Sequence, residues 1–433
     1  MPSFVTSSNF FPSQQPSTRG LFRPRPVVRL HLDSGYSLNI ILVRTWSFII
    51  FRVCRVSFMF WNYLAAIGAF IWLVILVLPW RPWGTRESMD SAGSSPDADL
   101  RDMTVLIPAR NESEVIGTTL SSLKRQGHGL QIVLVDDRST DGTVAVAQRS
   151  GMENLCIVTG EPLPTGWSGK LWALEQGFRR VKTPLVLLID ADIELQPGIV
   201  RELRRKLEED HLHFVSLMAQ LRMVKFWERL LMPAFVYFFK MLYPFRLSNS
   251  DFTGVAAAAG GCILLETRLI EEIDGFKAVC HELIDDCALA KRVKSLGYRT
   301  WIGLTHSVRS LRSYEDLAGI WTMVARTAFC QLRYSGWLLA GTTAVMLLVF
   351  WLPIAGLFFP AAEAKITSAC GFGALILSYL PTLRFYGRST AWALALPLIA
   401  ALYLAMTWAS AIRFWVGAGS RWKGRNYGRT EKL

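Results

Sequence analysis

The chain has 433 residues, of which 51% are hydrophobic, and a mean hydropathy of +0.28. That is too apolar for an ordinary soluble enzyme, while 19% charged residues are too many for an all-membrane channel. The formal charge of +13 sits at the ends, with seven Arg against one Asp in residues 1–58 and six basic residues against Glu431 in residues 413–433. Only +2 is left for the middle, which excludes a basic nucleic-acid platform and fits membrane-facing tails.

Residues 1–58 are rich in Ser, Pro, Phe and Arg and carry no helical periodicity. They read as a disordered extension. Residues 59–80 form the first apolar stretch, long enough for a membrane helix. Met59 heads it, and we expect translation to begin there, the preceding segment being a wrongly assigned extension or a flexible leader. Trp80, Arg81, Trp83 and Arg86 follow as an interfacial, cytoplasmic anchor. Residues 81–101 are polar and rich in Gly, Ser and Asp, a linker.

Residues 102–335 alternate short apolar runs with helical patterns, which predicts an α/β domain with a mostly parallel sheet. The clearest strands are Thr104–Ile107, Gln131–Val135 and Leu185–Ile189. Ligands of such sheets bind beyond the carboxyl ends of the strands, and this chain keeps acidic residues there. The second run ends in Asp136-Asp137, and the third in Asp190-Ala191-Asp192. Residues i and i+2 of an extended segment point to one side. The two carboxylates would therefore converge and repel unless a cation lies between them, and hard oxygen donors suit Mg²⁺ or Mn²⁺. A third acidic group, Glu282, Asp285 and Asp286, falls at helical spacing in the first turn of a helix that stops near Gly297. The macrodipole alone also favours acids there.

Residues 336–415 turn apolar again and hold two or three further membrane helices; a basic tail, 416–433, follows. A cytoplasmic tail after a cytoplasmic domain requires an even number of crossings, so three spans would leave one re-entrant or interfacial. The seven cysteines lack any CxxC, so a disulfide scaffold is not expected. Cys280, His281, Glu282 and Cys287 lack the paired spacing of a zinc site. The aromatic stretch Lys225–Leu247 has basic residues at both ends, and we read it as an amphipathic segment on the membrane surface, against the alternative of a core helix. Gly260-Gly261 permit close backbone approach to a ligand or a tight turn. His306 is either a site residue or a structural histidine.

The ordered set Ile107-Pro108-Ala109-Arg110-Asn111-Glu112, Asp136–Thr143, Gly169-Lys170 with Ala173-Leu174, Asp190-Ala191-Asp192, and Asp285-Asp286 with Arg292 and Gly297-Tyr298 resembles the inverting family 2 glycosyltransferases. That resemblance covers about residues 102–335 and implies a GT-A nucleotide-diphospho-sugar transferase fold. The flanking spans and Arg326–Ser335 are most similar to hopanoid-biosynthesis-associated bacterial membrane glycosyltransferases. The resemblance implies that Pro108, Arg110, Glu112 and Asp137 line the nucleotide pocket, that Lys170 approaches it, and that Asp190 faces the ribose. It further implies that Asp192, with Asp190, holds a divalent cation, Mg²⁺ or Mn²⁺, and that Asp286, beside Asp285, is the general base. The family's Thr-Glu-Asp element here reads Ile284-Asp285-Asp286, and its processive Gln-x-x-Arg-Trp element reads Gln331-Leu332-Arg333-Tyr334. Single-sugar transfer is therefore preferred to polymer synthesis. The expected donor is a UDP-sugar and the expected acceptor a lipid, at the bacterial inner membrane with the catalytic domain facing the cytoplasm. Two alternatives remain: transfer to a polyprenyl phosphate, with Arg309, Arg312 and Arg333 as a basic pocket, and an inactive membrane scaffold.

Overall fold

The computed structural model describes residues 60–93, 96–280, 282 and 284–417, together with the backbone of 420–422 and 425–427. The expectations for residues 1–58 and for Met59 lie outside the described residues, as do the side chains of the basic tail from 418 onward.

Eight strands form one mixed sheet: β1 (Met103–Ala109), β2 (Gln131–Asp136), β3 (Leu155–Thr159), β4 (Leu185–Ile189), β5 (Ile193–Leu195), β6 (Phe214–Gln220), β7 (Cys262–Glu266) and β8 (Thr300–Ser310). Their spatial order is β3-β2-β1-β4-β7-β6-β8-β5. β1, β2, β3 and β4 pair in parallel, whereas β7 runs antiparallel to both β4 and β6. Strands β1 and β4 are buried almost throughout because helices cover both faces, which is why they read as unbroken apolar runs. The strand order reverses beside β1, so the crevice between the carboxyl ends of β1 and β4 is the expected ligand position.

The helices are α1 (Phe60–Val77), α2 (Ile116–Lys124), α3 (Thr143–Gln148), α4 (Gly169–Phe178), α5 (Ile199–Glu209), α6 (Phe226–Leu242), α7 (Phe245–Ser248), α8 (Thr267–Glu272), α9 (Asp285–Ser295) and α10 (Leu317–Gln331). Helix α4 lies close on the sheet through Gly177, where a Cβ would come within 2.3 Å of Leu106 and 2.6 Å of Val135.

Among the described residues four helices are long and apolar enough to cross a membrane: α1, Gly336–Phe358, Ala362–Phe385 and Thr390–Trp415. Small residues let α1 meet its partners closely. A Cβ on Gly68 would sit 2.5 Å from the Leu348 carbonyl oxygen, and one on Gly371 2.7 Å from Ala69. Trp72 Nε1 donates to the Val349 carbonyl at 2.7 Å across the same contact.

Two sequence expectations change here. Residues 85–93 are pinned rather than free: Met89 donates to the Leu304 carbonyl and Leu304 to that of Glu87, and Asp90 accepts hydrogen bonds from Thr305, His306 and Ser307. The stretch Lys225–Leu247 does not lie on the surface as a simple amphipathic segment. Helix α6 buries Leu230, Leu231, Val236, Tyr237 and Lys240 against the last two apolar helices, through Tyr237–Ser378 at 2.7 Å and Tyr403 to the Leu231 carbonyl at 2.9 Å. Phe226 and Leu242, near its two ends, stay exposed.

Candidate active site

The loops after β1 and β2 are stitched together by their own polar groups. Asn111 and Arg138 sit at positive φ, 51° and 57°, which turns each loop sharply back. The Asn111 N–H donates to Ser139 Oγ at 2.9 Å, and its side-chain oxygen accepts the Thr140 N–H at 2.8 Å. Glu112 N–H donates to Thr143 Oγ1, and Ser113 N–H to Asp141. Arg110 then folds over this pair of loops, Nη1 donating to the Asp137 carbonyl at 2.5 Å and lying 3.9 Å from the Asp137 carboxylate. Asp137 is buried. The four residues expected around a nucleotide thus come from the ends of adjacent parallel strands, because β1 and β2 pair in register from Thr104–Gln131 to Ala109–Asp136.

The second half of the site is an ion network on the floor of the crevice. A small recess is walled by Pro108, Lys170, Asp190, Gly260, Asp285 and Asp286. Ser168 caps α4, its Oγ accepting the Leu171 N–H, so the helix delivers Lys170 in its first turn. Lys170 Nζ lies 2.8 Å from Asp190 and 3.7 Å from Asp285. Burial works against this ammonium, but Asp190, Asp285 and Asp286 together hold it above the usual lysine range.

Asp286 opens α9. Its Oδ2 accepts the Gly260 N–H at 2.7 Å and its Oδ1 the Cys287 N–H at 2.8 Å. Burial and the neighbouring Asp285 push its carboxyl up to about 6, against Lys170 and these two N–H donors. A carboxylate tuned into that range and held by backbone is chemically suited to take a proton near neutral pH. Gly260 is bare for a reason: a Cβ there would stand 2.9 Å from Lys170 Nζ and 3.4 Å from Asp286 Oδ2. Of the two readings of Gly260-Gly261, the structure shows the tight turn, the Cys262 N–H donating to the Ala259 carbonyl at 3.4 Å.

Asp192 is engaged differently. Its Oδ2 accepts Arg312 Nε at 2.8 Å, and Arg312 Nη2 reaches Glu112 at 3.1 Å. Burial disfavours this guanidinium charge, and Asp192 and Glu112 more than restore it. The polyprenyl-phosphate alternative would use Arg312 in a basic pocket; the structure engages it as a clamp between the β1 and β4 loops. Arg309 turns back to the His306 carbonyl. Two of the three arginines of that alternative are thus engaged within the chain. Among the described residues no three His, Cys, Asp or Glu side chains converge as a metal cage. Asp190 and Asp192 nevertheless fit a divalent ion shared with phosphate oxygens: both are hard donors, and each already faces a cationic side chain.

Sequence reasoning missed Glu228, which is fully buried in α6. It accepts N–H groups from Val224, Lys225 and Tyr314, and so ties α6 to the segment carrying Arg312. Its Lys-x-x-Glu setting resembles a helix start in sequence, and only the return of the chain after β8 shows the third donor. His306 is structural. It bridges Asp90 at 2.9 Å and the Phe385 carbonyl at 2.8 Å, and stacks on Phe385.

The sheet order and this crevice are those of the GT-A fold, with apolar helices on either side of that domain in the chain. Residues 104–274 match the family described as Glycosyl transferase family 2. Curated relatives include the 4,4'-diaponeurosporenoate glycosyltransferases of Staphylococcus aureus (strain bovine RF122 / ET3-1), 33% identical over 93 residues, and of Staphylococcus haemolyticus (strain JCSC1435), 32% identical over 93 residues. Each match covers 22% of this chain and 24% of the relative, so the chain spans about a quarter of the length of the relatives it matches. Among solved structures, a mannosyltransferase from Pyrobaculum calidifontis in complex with GDP-Man and Mn²⁺ superimposes with a TM-score of 0.50 and 19% identity. That alignment covers 82% of this chain and 99% of the other and establishes the shared fold.

Proposed function

We propose that this chain is a membrane-anchored inverting glycosyltransferase that moves a single sugar from a nucleotide donor, a UDP-sugar, to a lipid acceptor. The observation that carries this reading is the position of Asp286 between the recess and the ends of α6 and α10. On one side it shares the recess with Lys170 and Asp190. On the other, its charge is felt by Tyr243 at the end of α6, whose hydroxyl accepts from Gln331 at the end of α10. An acceptor hydroxyl rising between α6 and α10 would meet the carboxylate. Hopanoid metabolism as the context rests on the resemblance of the flanking segments.

In this mechanism Asp286 removes the acceptor hydroxyl proton while that oxygen attacks the anomeric carbon and the nucleoside diphosphate departs from the opposite face. One displacement inverts the anomeric centre. Arg110, Glu112 and Asp137 hold the nucleotide, and Lys170 faces the donor from the crevice floor. Asp190 and Asp192 would hold a divalent cation, which supplies charge neutralisation of the departing diphosphate. Fixing donor and acceptor in line supplies proximity.

We further infer three crossings, by α1 and the hairpin of Gly336–Phe358 and Ala362–Phe385, with Thr390–Trp415 lying in the interface. Helix α6 is joined to the sheet domain at both ends, so it runs beneath that domain. Thr390–Trp415 follows it: Trp392 meets Phe226 at the start of α6, and Trp415 meets Phe329 near the end of α10. This arrangement returns the basic tail to the side of the catalytic domain, the cytoplasm on this reading.

The test is nucleotide release by purified, detergent-solubilised full chain. UDP-, GDP- and dTDP-sugars are offered with Mn²⁺ or Mg²⁺ and bacterial lipid extract. Lipid-stimulated release from one donor, lost in Asp286→Asn, is expected. No release and no donor binding would favour the inactive-scaffold alternative.

A further inference from the structure

At the end of α1 the chain turns twice within Leu78–Gly84. The Arg81 N–H donates to the Leu78 carbonyl at 3.0 Å and the Gly84 N–H to the Arg81 carbonyl at 2.8 Å, which carries Arg81 to a φ of 38°. A cavity of about 280 Å³ opens at this corner, and it shares no residue with the active-site recess. Arg81, Arg86 and Arg246 line it, against one acidic residue, Glu87. Trp83 and Pro381 supply the apolar part.

A fourth cation lies beneath it. Lys240 is 1% exposed, and its Nζ donates to the Gly84 carbonyl at 2.9 Å, the Trp83 carbonyl at 3.4 Å and Thr382 Oγ1 at 3.0 Å. Among the described residues it makes no ion pair. A buried ammonium hydrogen-bonded only to neutral oxygens keeps most of its desolvation cost, and burial pushes it down to about 7 although Glu87 acts to raise it. Two of its three partners belong to the turn that walls the cavity, so an anion in the cavity would lie over this charge as well as among the arginines.

The depth of the site selects the anion. Val77 ends α1, and Pro381 lies in the last turns of the neighbouring span, Ala362–Phe385. The cavity is therefore level with a bilayer surface, and Trp with Arg is the pairing that interfaces favour. Guanidinium groups match phosphate oxygens in geometry as well as charge. We propose that this cavity binds the phosphate of an anionic lipid headgroup, docking the catalytic domain on the membrane at a site separate from sugar transfer. The inference rests on the membrane-anchored part of the proposed function and not on its chemistry.

The test uses delipidated full chain in neutral detergent, with phosphatidylglycerol, phosphatidylcholine or inorganic phosphate added. Thermal midpoint and saturable binding are the readouts. Phosphatidylglycerol should raise the midpoint where the other two do not, and each arginine removed should weaken it about fivefold. Arg246→Gln also loses the bond from Nη1 to the Pro79 carbonyl and so tests the turn together with the site. Arg86→Gln has no hydrogen bond to lose among the described residues and keeps the experiment decisive should Arg246→Gln misfold. Equal effects of the two lipids, or an unchanged response in Arg86→Gln, would overturn the proposal. An equal response to inorganic phosphate would overturn the lipid source in favour of a soluble anion. Recovery of the chain without detergent would remove the membrane placement itself, and absent sugar transfer would leave the lipid result readable.

Discussion

The Gly260 N–H and the Asp286 carboxylate lie 2.7 Å apart, and this bond joins the loop before β7 to the first turn of α9. It aims the carboxylate while Lys170 Nζ occupies the space where a side chain at 260 would begin. The strand-side loop thus holds the acid in place without covering it.

Gly260→Ala tests that arrangement. The added methyl forces Lys170 away from Asp190 and crowds Asp286. Turnover should fall roughly 10–100-fold, with donor affinity changing less, since the nucleotide loops are untouched. Steady-state kinetics with separate donor titration checks it; wild-type turnover would show that Lys170 is not positioned by this contact.

As the base of the proposed reaction, Asp286 should set the acid limb of the pH profile. With the carboxyl at about 6 rather than 3.8, the proton-accepting form accumulates as pH rises through about 6. In kcat/KM the profile should climb there and level above it, and Asp286→Asn should lose roughly 10²–10⁴-fold across the range. The stability sign is opposite. A raised folded-state pKa contributes stability that is full below 3.8 and lost as pH rises through about 6, so the ionised base is held at a cost. An acid limb that persists in the Asn variant would assign it to another group.

Arg312 competes with any divalent ion for Asp192. Arg312→Gln frees that carboxylate, and Mn²⁺ affinity measured by calorimetry should tighten by roughly tenfold or more. Turnover should fall at saturating Mn²⁺, because the clamp between Glu112 and Asp192 is lost. Unchanged Mn²⁺ binding would remove Asp192 as a ligand.

His306 couples β8 to the apolar helix Ala362–Phe385. Burial lowers its affinity for a proton, but Asp90 and the Phe385 carbonyl more than compensate and raise it above 6.5. Only the protonated ring donates to both partners at once. Its contribution is therefore full below 6.5 and lost as pH rises through the raised value. Thermal midpoints of wild type and His306→Gln, followed from pH 5.5 to 8.5, should differ most at the acid end; a constant difference would mean that protonation plays no part.

Much of this protein is legible in one dimension. Continuous apolar runs such as Val105–Ile107 and Leu185–Ile189 specify strands buried on both faces, because only helices on both sides of a sheet permit them. The acidic strand ends follow from the same rule, since ligands of such sheets lie beyond the carboxyl ends. The apolar stretches before and after the sheet domain follow from length and composition, while the number of helices after it, expected as two or three, is three in the structure. What the sequence leaves open is pairing across distance. Nothing local says that Arg312 closes on Asp192 and Glu112, residues 120 and 200 positions away, or that Glu228 serves the chain returning after β8. Nor does the aromatic stretch of α6 declare which face is covered; Tyr237, Lys240 and Leu231 become core because the last two apolar helices fold back onto them. Hydrophobic periodicity determines which residues must leave water. The partners of a buried charge are chosen by tertiary geometry, because electrostatic and hydrogen-bond energies depend on separations of a few ångströms that sequence spacing does not encode.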